Sequence, residues 1–356
     1  MAKSNSPKPR IAILTRAADR SPKILAMGLQ HMLGQLGYDS AIFYEGTSML
    51  GRLFPLHKKI FYQIRFHYRL RMKLKYFFKD RALIRQLAHY DIIILSECIP
   101  NAYWRGYFAI EELRDKIRKP ICLYEVYYLG TSPRYLQELA AGHHHHHGLE
   151  RFDWNFSVSD IGERQEQPMP EKKWSVIGLD LSHTGLQPQP KNEFMVLVDF
   201  LQAGYEESRK MHLEVLAELG IKTISLEGRY PMEEIRQLYR KASVLMVQFP
   251  ESFGLPIAEC LSTGAYIMVP DPFWAMAWRK KEEGTGNLYL PSFFVQYQDR
   301  EDLKEKLLEL NKSWDPIASP ERLSKSFKET YPHFYNGDKN EIQLALDQII
   351  PARTSS

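Results

Sequence analysis

The sequence has few cysteines and no long hydrophobic run. Its three cysteines, Cys98, Cys122 and Cys260, lie far apart and outside any Cys-x-x-Cys spacing. This argues against a disulfide framework and against a structural zinc site. No stretch approaches the ~18 apolar residues of a membrane span, and the apolar run from Ile11 to Leu14 is shorter than a signal peptide needs. We therefore expect a cytoplasmic protein.

Length and composition indicate two ordinary globular domains. Single hydrophobic cores stop growing at roughly 250 to 300 residues, so a chain of 356 residues favours two of them. Hydrophobic residues make up 44% and charged residues 25%, which is close to the globular average. Wholesale disorder is therefore excluded.

Positive charge is concentrated between His57 and Gln86, where ten Lys or Arg face a single acid, Asp80. Inside it, from Ile64 to Tyr76, apolar and basic residues alternate. The alternation is typical of a strand, whereas the length and the flanks favour a helix. We expect this segment to meet an anionic membrane surface or an anionic acceptor, with a solvated face as the alternative. Nucleic acid is disfavoured because no recognised binding motif accompanies the charge. The expected contacts are Arg65, Arg69, Arg71, Lys73 and Lys75.

Short apolar runs alternate with helical patterns along the chain, which predicts an α/β protein with doubly wound parallel sheets. Residues 180–192 are polar and lack periodicity, so we place the interdomain connection there. The predicted organisation is an N-terminal Rossmann-like domain over 1–180, a linker over 181–192, a C-terminal Rossmann-like domain over 193–335, and a helix within 336–356 that packs back on the first domain. The apolar runs predicted as strands begin at Ile11, Ala41, Ile92, Ile121, Trp154, Phe194, Thr223, Val244 and Tyr266.

A run of five histidines, His143 to His147, is flanked by glycines. Consecutive residues cannot all face one ion with tetrahedral spacing. We assign the run to a solvated loop, and we expect no metal.

The most informative stretch is Phe249 to Asp271, FPESFGLPIAECLSTGAYIMVPD, which predicts a strand, a tight turn, a helix and a strand. Pro256 suits the first helical position, and Gly264 suits the residue just after the helix. The helix therefore begins beside Gly254, whose missing side chain permits close approach of a ligand to the backbone. The free N–H groups and dipole of a helix N-terminus favour an anion such as a diphosphate.

Two carboxylates accompany this turn. Glu251 precedes it and Glu259 follows it, so we expect both to flank one pocket, where carboxylates accept hydrogen bonds from sugar hydroxyls. The spacing Glu-x7-Glu, with FGLP inside it, resembles the donor-site signature of the retaining glycosyltransferases of family GT4, and the likeness covers about Ile224 to Pro270. The resemblance implies a GT-B fold, in which two Rossmann-like domains with parallel sheets face each other across a cleft.

The resemblance also implies roles for single residues. Glu251 would bond hydroxyls of the donor sugar, Glu259 would bond the nucleotide ribose, and backbone N–H groups of the turn would hold the diphosphate. The Gly228 loop would lie near the base. The implied donor-binding set is Ser252, Phe253, Gly254, Leu255, Glu259, Gly228, Arg229 and Tyr230.

The sequence departs from the family pattern in the second domain and in the first. The strand at Phe194 lacks the usual Gly-Arg at its end, and the domain is short by a strand-helix unit, so Arg209 and Lys210 are the nearest cations for the departing diphosphate. They join Glu251 as the expected catalytic set, with an exposed helix face as the alternative for both cations. The turn after the first strand of the chain has no glycine. On the acceptor side we expect Arg16, Ser21 and Glu125.

The implied activity is transfer of a sugar from a nucleotide-diphosphate donor to an acceptor hydroxyl, with retained anomeric configuration and no cofactor or metal. A glycan or lipid-linked acceptor is implied, in glycan, polysaccharide or glycolipid synthesis, with peripheral placement at the inner face of the membrane. Two alternatives stay open. One is a non-catalytic GT-B protein that binds a partner through the basic segment, and the other is a GT-B epimerase or phosphorylase.

Overall fold

The structure is a computed structural model that describes residues 8–16, 20–45, 82–96, 110–127, 152–159, 173–249, 251, 253–271 and 276–350. The chain divides into two compact units. The first contains the described residues up to Leu179 and those from Asp338 onwards, and the second runs from Asp180 to Gly337. The histidine run and the basic segment, with Arg65, Arg69, Arg71, Lys73 and Lys75, lie outside the described residues.

A parallel sheet forms the core of the first unit. Within the described residues it has six strands, in the order β2-β1-β3-β4-β5-β6. Every residue of β3 and β5 is buried, as expected for strands covered on both faces. Cys122 is buried in β4 as a free thiol, and burial raises its pKa. The strands are β1 Ile11–Arg16, β2 Ser40–Glu45, β3 Ile92–Ser96, β4 Ile121–Tyr127, β5 Trp154–Ser159 and β6 Trp174–Val176.

Helices α1 (Arg20–Gln35) and α2 (Ile110–Ile117) belong to this unit, and residues 82–87 are helical as well. α1 follows β1 directly and packs on β1 and β2, and its apolar residues Ile24, Leu25 and Leu29 are buried. The connection from β1 through α1 to the parallel neighbour β2 is the predicted β-α-β unit.

The second unit also contains a parallel sheet. In the part of this unit that the structure describes, five strands lie in the order β13-β10-β9-β7-β8. A short antiparallel hairpin, β11 (Lys280–Lys281) and β12 (Leu288–Tyr289), adds to them. The strands of the parallel sheet are β7 Met195–Val198, β8 Lys222–Ser225, β9 Val244–Met246, β10 Tyr266–Pro270 and β13 Phe294–Tyr297.

Helices connect and follow these strands. The fifth strand, β13, leads into α6, whose N-terminus is capped by the Asp299 side chain. The helices are α3 Glu206–Glu218, α4 Met232–Lys241, α5 Leu255–Ser262, α6 Arg300–Ser313, α7 Ala318–Thr330 and α8 His333–Asn336.

The last helix, α9 (Lys339–Ile349), belongs to the first unit, where it packs on β6. Asp338 caps it, accepting hydrogen bonds from the N–H groups of Asn340 and Glu341. Gln343 donates from Nε2 to the Tyr38 hydroxyl at 2.8 Å.

Residues 181–192, which the sequence analysis assigned to a linker, pack into the second unit. Leu181 and Leu186 are fully buried, and Lys191 is 3% exposed. The Lys191 ammonium donates to the carbonyls of Ala242 and Gly264. The absence of periodicity here reflects an irregular but packed segment.

Candidate functional site

A cavity of about 200 Å³ lies at the carboxyl edge of the sheet in the second unit. β7 ends at Val198 and β9 ends at Met246, so the cavity is formed by the loops that follow two adjacent strands, together with the first turn of α5. This is the edge at which open parallel sheets bind ligands. The residues that line the cavity are Asp199, Phe200, Gln202, Val247, Phe249, Glu251, Gly254, Pro256 and Ile257.

The turn before α5 depends on a glycine. Gly254 has φ 66° and ψ 96°, which is in the half of conformational space that L-residues avoid. A Cβ at this position would lie 2.7 Å from Glu251 Cγ and 2.9 Å from Ile257 Cδ1. The N–H groups of Gly254 and Leu255 have no acceptor within the described residues. The turn therefore leaves unpaired donors beside the cavity, at the positive end of a helix.

The two acids of the Glu-x7-Glu spacing have different surroundings. Glu251 is half-buried and lines the cavity. Glu259 is the fifth residue of α5 rather than part of its first turn, and it does not line the cavity. Arg236 of α4 donates from Nε to Glu259 Oε1 at 2.9 Å, in an ion pair whose side chains are 7% and 4% exposed. The expectation that both acids flank one pocket is therefore met by Glu251 alone.

Arg209 and Lys210 also differ from expectation. Arg209 is buried, and its guanidinium donates to the Asp199 carbonyl, to Leu226 O at 2.8 Å and to Ser225 Oγ at 2.6 Å. It satisfies polar groups at the ends of β7 and β8, which would otherwise be buried without partners. Lys210, its neighbour in α3, is exposed. Neither side chain lines the cavity.

The loop from Gly228 to Tyr230 adjoins the cavity. Gly228 has a positive φ of 70° with open space around it, and Arg229 is exposed. The centroids of the Tyr230 and Phe200 rings are 6.0 Å apart, and Phe200 lines the cavity. The loop is therefore separated from the cavity by one aromatic side chain.

Phe253 is an anchor of the turn rather than a surface residue. Its ring is fully buried and stacks on Trp278 at 5.3 Å between centroids. Trp278 Nε1 donates to the Phe253 carbonyl, and the Tyr331 hydroxyl donates to the Trp278 carbonyl. The turn is thus held from the core side, and the importance of Trp278 was not apparent from the sequence. Ser252 lies outside the described residues.

Asp199 is a site residue that the sequence analysis missed. It directly follows β7 and is 5% exposed, and its Oδ1 accepts from the Phe200 N–H at 2.8 Å. Burial, together with the charge of Glu251, raises the pKa of Asp199 to about 6, against the opposing effects of the Phe200 N–H and Arg209. The available signal was a polar residue directly after an apolar run, where the family pattern has Gly-Arg.

The acceptor-side residues belong to the first unit. Arg16 is the last residue of β1, and its side chain lies outside the described part of the structure. Ser21 is half-buried in the first turn of α1. Glu125 does not follow its strand as expected, because β4 continues to Tyr127 and buries Glu125 beside Ser157 of β5.

Comparison with solved structures gives similar folds at low sequence identity. The catalytic domain of starch synthase IV from Arabidopsis thaliana, bound to ADP and acarbose, matches with a TM-score of 0.58 and 13% identity over 97% of this chain and 99% of that one. A glycosyltransferase from Rickettsia africae matches with a TM-score of 0.52 and 13% identity over the same shares of the two chains. The chain has the GT-B fold.

A weaker likeness is to HepE from Anabaena in complex with UDP-glucose, with a TM-score of 0.49 and 12% identity over 96% of this chain and 98% of that one. Neither a protein-family model nor a curated protein matches the sequence. Within the described residues, no helix has the length and apolar character that a membrane span requires.

Proposed function

We propose that this chain is a GT-B glycosyltransferase that binds a nucleotide-diphosphate sugar at the carboxyl edge of the second sheet. The observation that carries the proposal is the turn at Gly254, which combines a glycine-only conformation, unpaired N–H groups, a helix N-terminus and the cavity lined by Glu251. The solved structures of similar fold support it, since one is a starch synthase holding ADP and another is a glycosyltransferase.

The diphosphate would bind at the start of α5. Backbone N–H groups of Gly254 and Leu255 would donate to its oxygens, and the helix dipole would favour its charge. Charge that develops on the leaving diphosphate would be stabilised by the same groups, without a divalent metal. Arg209 would act as a buried positive charge behind Asp199. Lys210, which is exposed on α3, would supply a second positive charge to a bound donor.

The sugar and the nucleoside would bind on either side of this turn. Glu251 would accept hydrogen bonds from sugar hydroxyls. The base would lie near the loop from Gly228 to Tyr230, beside the Phe200 ring. Glu259 would support the nucleoside side by holding Arg236 and α4 against α5.

The transfer that we propose retains the anomeric configuration and serves glycan, polysaccharide or glycolipid synthesis. The acceptor would be a glycan or a lipid-linked hydroxyl. The basic segment between His57 and Gln86 would hold an anionic acceptor or an anionic membrane surface. The chain would then act as a peripheral protein at the inner face of the membrane.

The test is donor binding and turnover by the purified protein. UDP, GDP, ADP and TDP, each alone and as its sugar, are titrated by thermal shift and calorimetry, because a ligand that binds only the native state raises the melting temperature. Glu251→Gln is expected to lower turnover at least tenfold with folding retained, since it weakens an acceptor for sugar hydroxyls. Glu329→Gln, at an exposed acid of α7, is the control.

Activity is expected to survive a chelator, and the new linkage is expected to keep the donor's anomeric configuration, as measured by NMR of the product. The proposal is wrong if no nucleotide sugar binds or turns over, or if both require added metal. A new glycosidic linkage would exclude an epimerase, and nucleotide release would exclude a phosphorylase.

A non-catalytic GT-B protein is the second candidate. The observation that favours it is that none of the described residues lining the cavity is Lys or Arg, so the cavity wall has no direct cationic partner for phosphate. Donor binding without turnover, together with partner binding that Glu251→Gln leaves unchanged, would support this candidate over the enzyme.

A further inference from the structure

The geometry points to Asp199 as a specificity-determining residue that accepts a hydroxyl of the donor sugar. In this arrangement the cavity holds the neutral sugar, and the diphosphate lies outside it at the start of α5. The inference rests on the proposed function and adds a residue and a ligand orientation to it.

The first argument comes from the charge of the cavity wall. Its ionisable side chains, among the described lining residues, are the carboxyl groups of Asp199 and Glu251. Two carboxylates repel a phosphate group, and they are good acceptors for hydroxyl hydrogens. The remaining wall is mainly apolar and includes the rings of Phe200 and Phe249, which suits the apolar face of a sugar ring.

The second argument comes from the size of the cavity. The cavity volume is about 200 Å³. It is below the range of roughly 300 to 1,000 Å³ that is usual for pockets holding a whole drug-sized ligand. The cavity therefore suits one part of a nucleotide sugar, and its charge selects the sugar rather than the diphosphate.

The third argument comes from the hydrogen bonds that hold Asp199. Its Oδ1 accepts from the Phe200 N–H, while Oδ2 takes no hydrogen bond within the described residues. The backbone around it is fixed by Arg209, which donates to the Asp199 carbonyl, and by Gln248, which donates from Nε2 to the Phe200 carbonyl at 2.8 Å. One carboxyl oxygen is thus bound and oriented, and the other is open to a ligand.

Gln248 holds the backbone behind the cavity wall, since it lies between the lining residues Val247 and Phe249 and does not line the cavity itself. It is 2% exposed, and its Oε1 is buried with no hydrogen-bond partner. Burial also raises the pKa of Asp199 to about 6, which leaves it ionised at neutral pH in a poorly solvated position.

The test compares nucleotide with nucleotide sugar. Calorimetry gives the Kd of the wild type, Asp199→Asn and Asp271→Asn for UDP and UDP-glucose, ADP and ADP-glucose, and GDP and GDP-mannose. Asparagine keeps the Oδ1 acceptor for the Phe200 N–H and removes the charge. Asp271 follows β10 at the same edge of the sheet but does not line the cavity, so Asp271→Asn is the matched control.

Asp199→Asn is expected to reduce the affinity gain from the sugar, measured as Kd of the nucleotide over Kd of its sugar, about tenfold. The nucleotide alone should bind equally well or more tightly, because a negative charge has been removed. The inference is overturned if Asp199→Asn weakens nucleotide and nucleotide sugar equally, or leaves their ratio unchanged. Absence of nucleotide binding by the wild type would instead defeat the proposed function.

A second measurement relies mainly on the wild-type protein. Deoxy analogues of the preferred sugar donor are titrated into the wild type, and one missing hydroxyl is expected to cost about tenfold in affinity. That same analogue should bind Asp199→Asn within about twofold of the parent donor, because the two changes remove one interaction. Independent, multiplicative losses would contradict a contact between Asp199 and that hydroxyl.

Discussion

The two ends of α5 carry glycines of similar conformation in opposite circumstances. Gly254 at the start has φ 66° and faces a cavity, and a Cβ there would meet the side chains of Glu251 and Ile257. Gly264 after the end has φ 75°, and a Cβ there would lie 2.1 Å from the backbone oxygen of Pro320 in α7. Only the second neighbour is rigid backbone.

The hydrogen bonds differ in the same way. At the C-terminal end, Lys191 donates to the Gly264 carbonyl, and Thr263 Oγ1 donates to the Tyr239 carbonyl. At the N-terminal end, the N–H groups of Gly254 and Leu255 have no acceptor within the described residues. One helix therefore has a structural end, whose polar groups are satisfied by protein, and an end whose polar groups are left for a ligand.

Gly264→Ala should have the largest effect on stability. The positive φ costs about 1–2 kcal/mol for a residue with a Cβ, and the overlap with Pro320 costs about 1–3 kcal/mol more. We expect the free energy of unfolding, measured by urea titration, to fall by about 3 kcal/mol, while the folded protein keeps its nucleotide affinity. If Gly264→Ala instead lost nucleotide affinity and kept its stability, the C-terminal end of α5 would be the ligand-binding end.

Lys191→Met should act at the same structural end and change the pH dependence of stability. Burial lowers the pKa of Lys191 to about 7, whereas an unfolded lysine titrates near 10.4. Between these pH values the unfolded chain binds more protons, so the free energy of unfolding of the wild type should rise with pH. The variant should lose this rise.

At pH 10, where Lys191 is neutral in the folded protein, the same variant should be about 2 kcal/mol less stable, because the Ala242 and Gly264 carbonyls lose their donor. At pH 7 the difference should be smaller, because the variant also avoids the cost of burying a charge. Urea titrations at pH 7, 8, 9 and 10 test both expectations. Parallel pH profiles for the variant and the wild type would contradict the first.

Gly254→Ala should separate binding from stability. Its positive φ predicts a loss of about 1–2 kcal/mol in the free energy of unfolding, and the displaced Glu251 side chain predicts at least a tenfold weaker nucleotide-sugar Kd. Gly220→Ala, at a glycine with φ 62° and open space around it, is the matched control. Gly220→Ala should show a similar loss of stability and an unchanged Kd for the nucleotide sugar. Equal Kd values for the two variants would show that Gly254 has no special role in binding.

The smallest effect is expected at a helix end in the first unit. Arg118 directly follows α2 with φ 54°, a left-handed conformation like that of Gly264 after α5. Arg118→Gly should raise the free energy of unfolding by about 1 kcal/mol, because the strain of a Cβ in this conformation is removed. A destabilised variant would show that the Arg118 side chain contributes more than its backbone conformation costs.

Local patterns predicted much of the fold. Nine apolar runs were predicted as strands, and all nine form strands in the two parallel sheets, because strands buried on both faces are apolar throughout. The short strands β6, β11, β12 and β13 were missed, as were the helices that follow β13 before Asp338. β13 has only four residues, with Gln296 inside it, and so lacks a long apolar run.

The site was predictable where its chemistry is local. Gly254 occupies the turn before α5 as expected, because positive φ is a property of a single residue. Pro256 lies in the first helical turn, one position after the predicted first position. Glu259 was placed wrongly relative to the cavity, because its surroundings depend on Arg236, 23 positions away. Arg209 faces the strand ends because its guanidinium donates to the Leu226 carbonyl, 17 positions away in the sequence.

The most direct test of the central claim is amide hydrogen exchange of the whole protein with and without its preferred nucleotide sugar. We predict that the ligand slows exchange in peptides containing Gly254 and Leu255, and leaves the C-terminal end of α5 around Gly264 unchanged. Ligand binding that protects Gly264 and the residues after it, with no change at Gly254 and Leu255, would contradict the account.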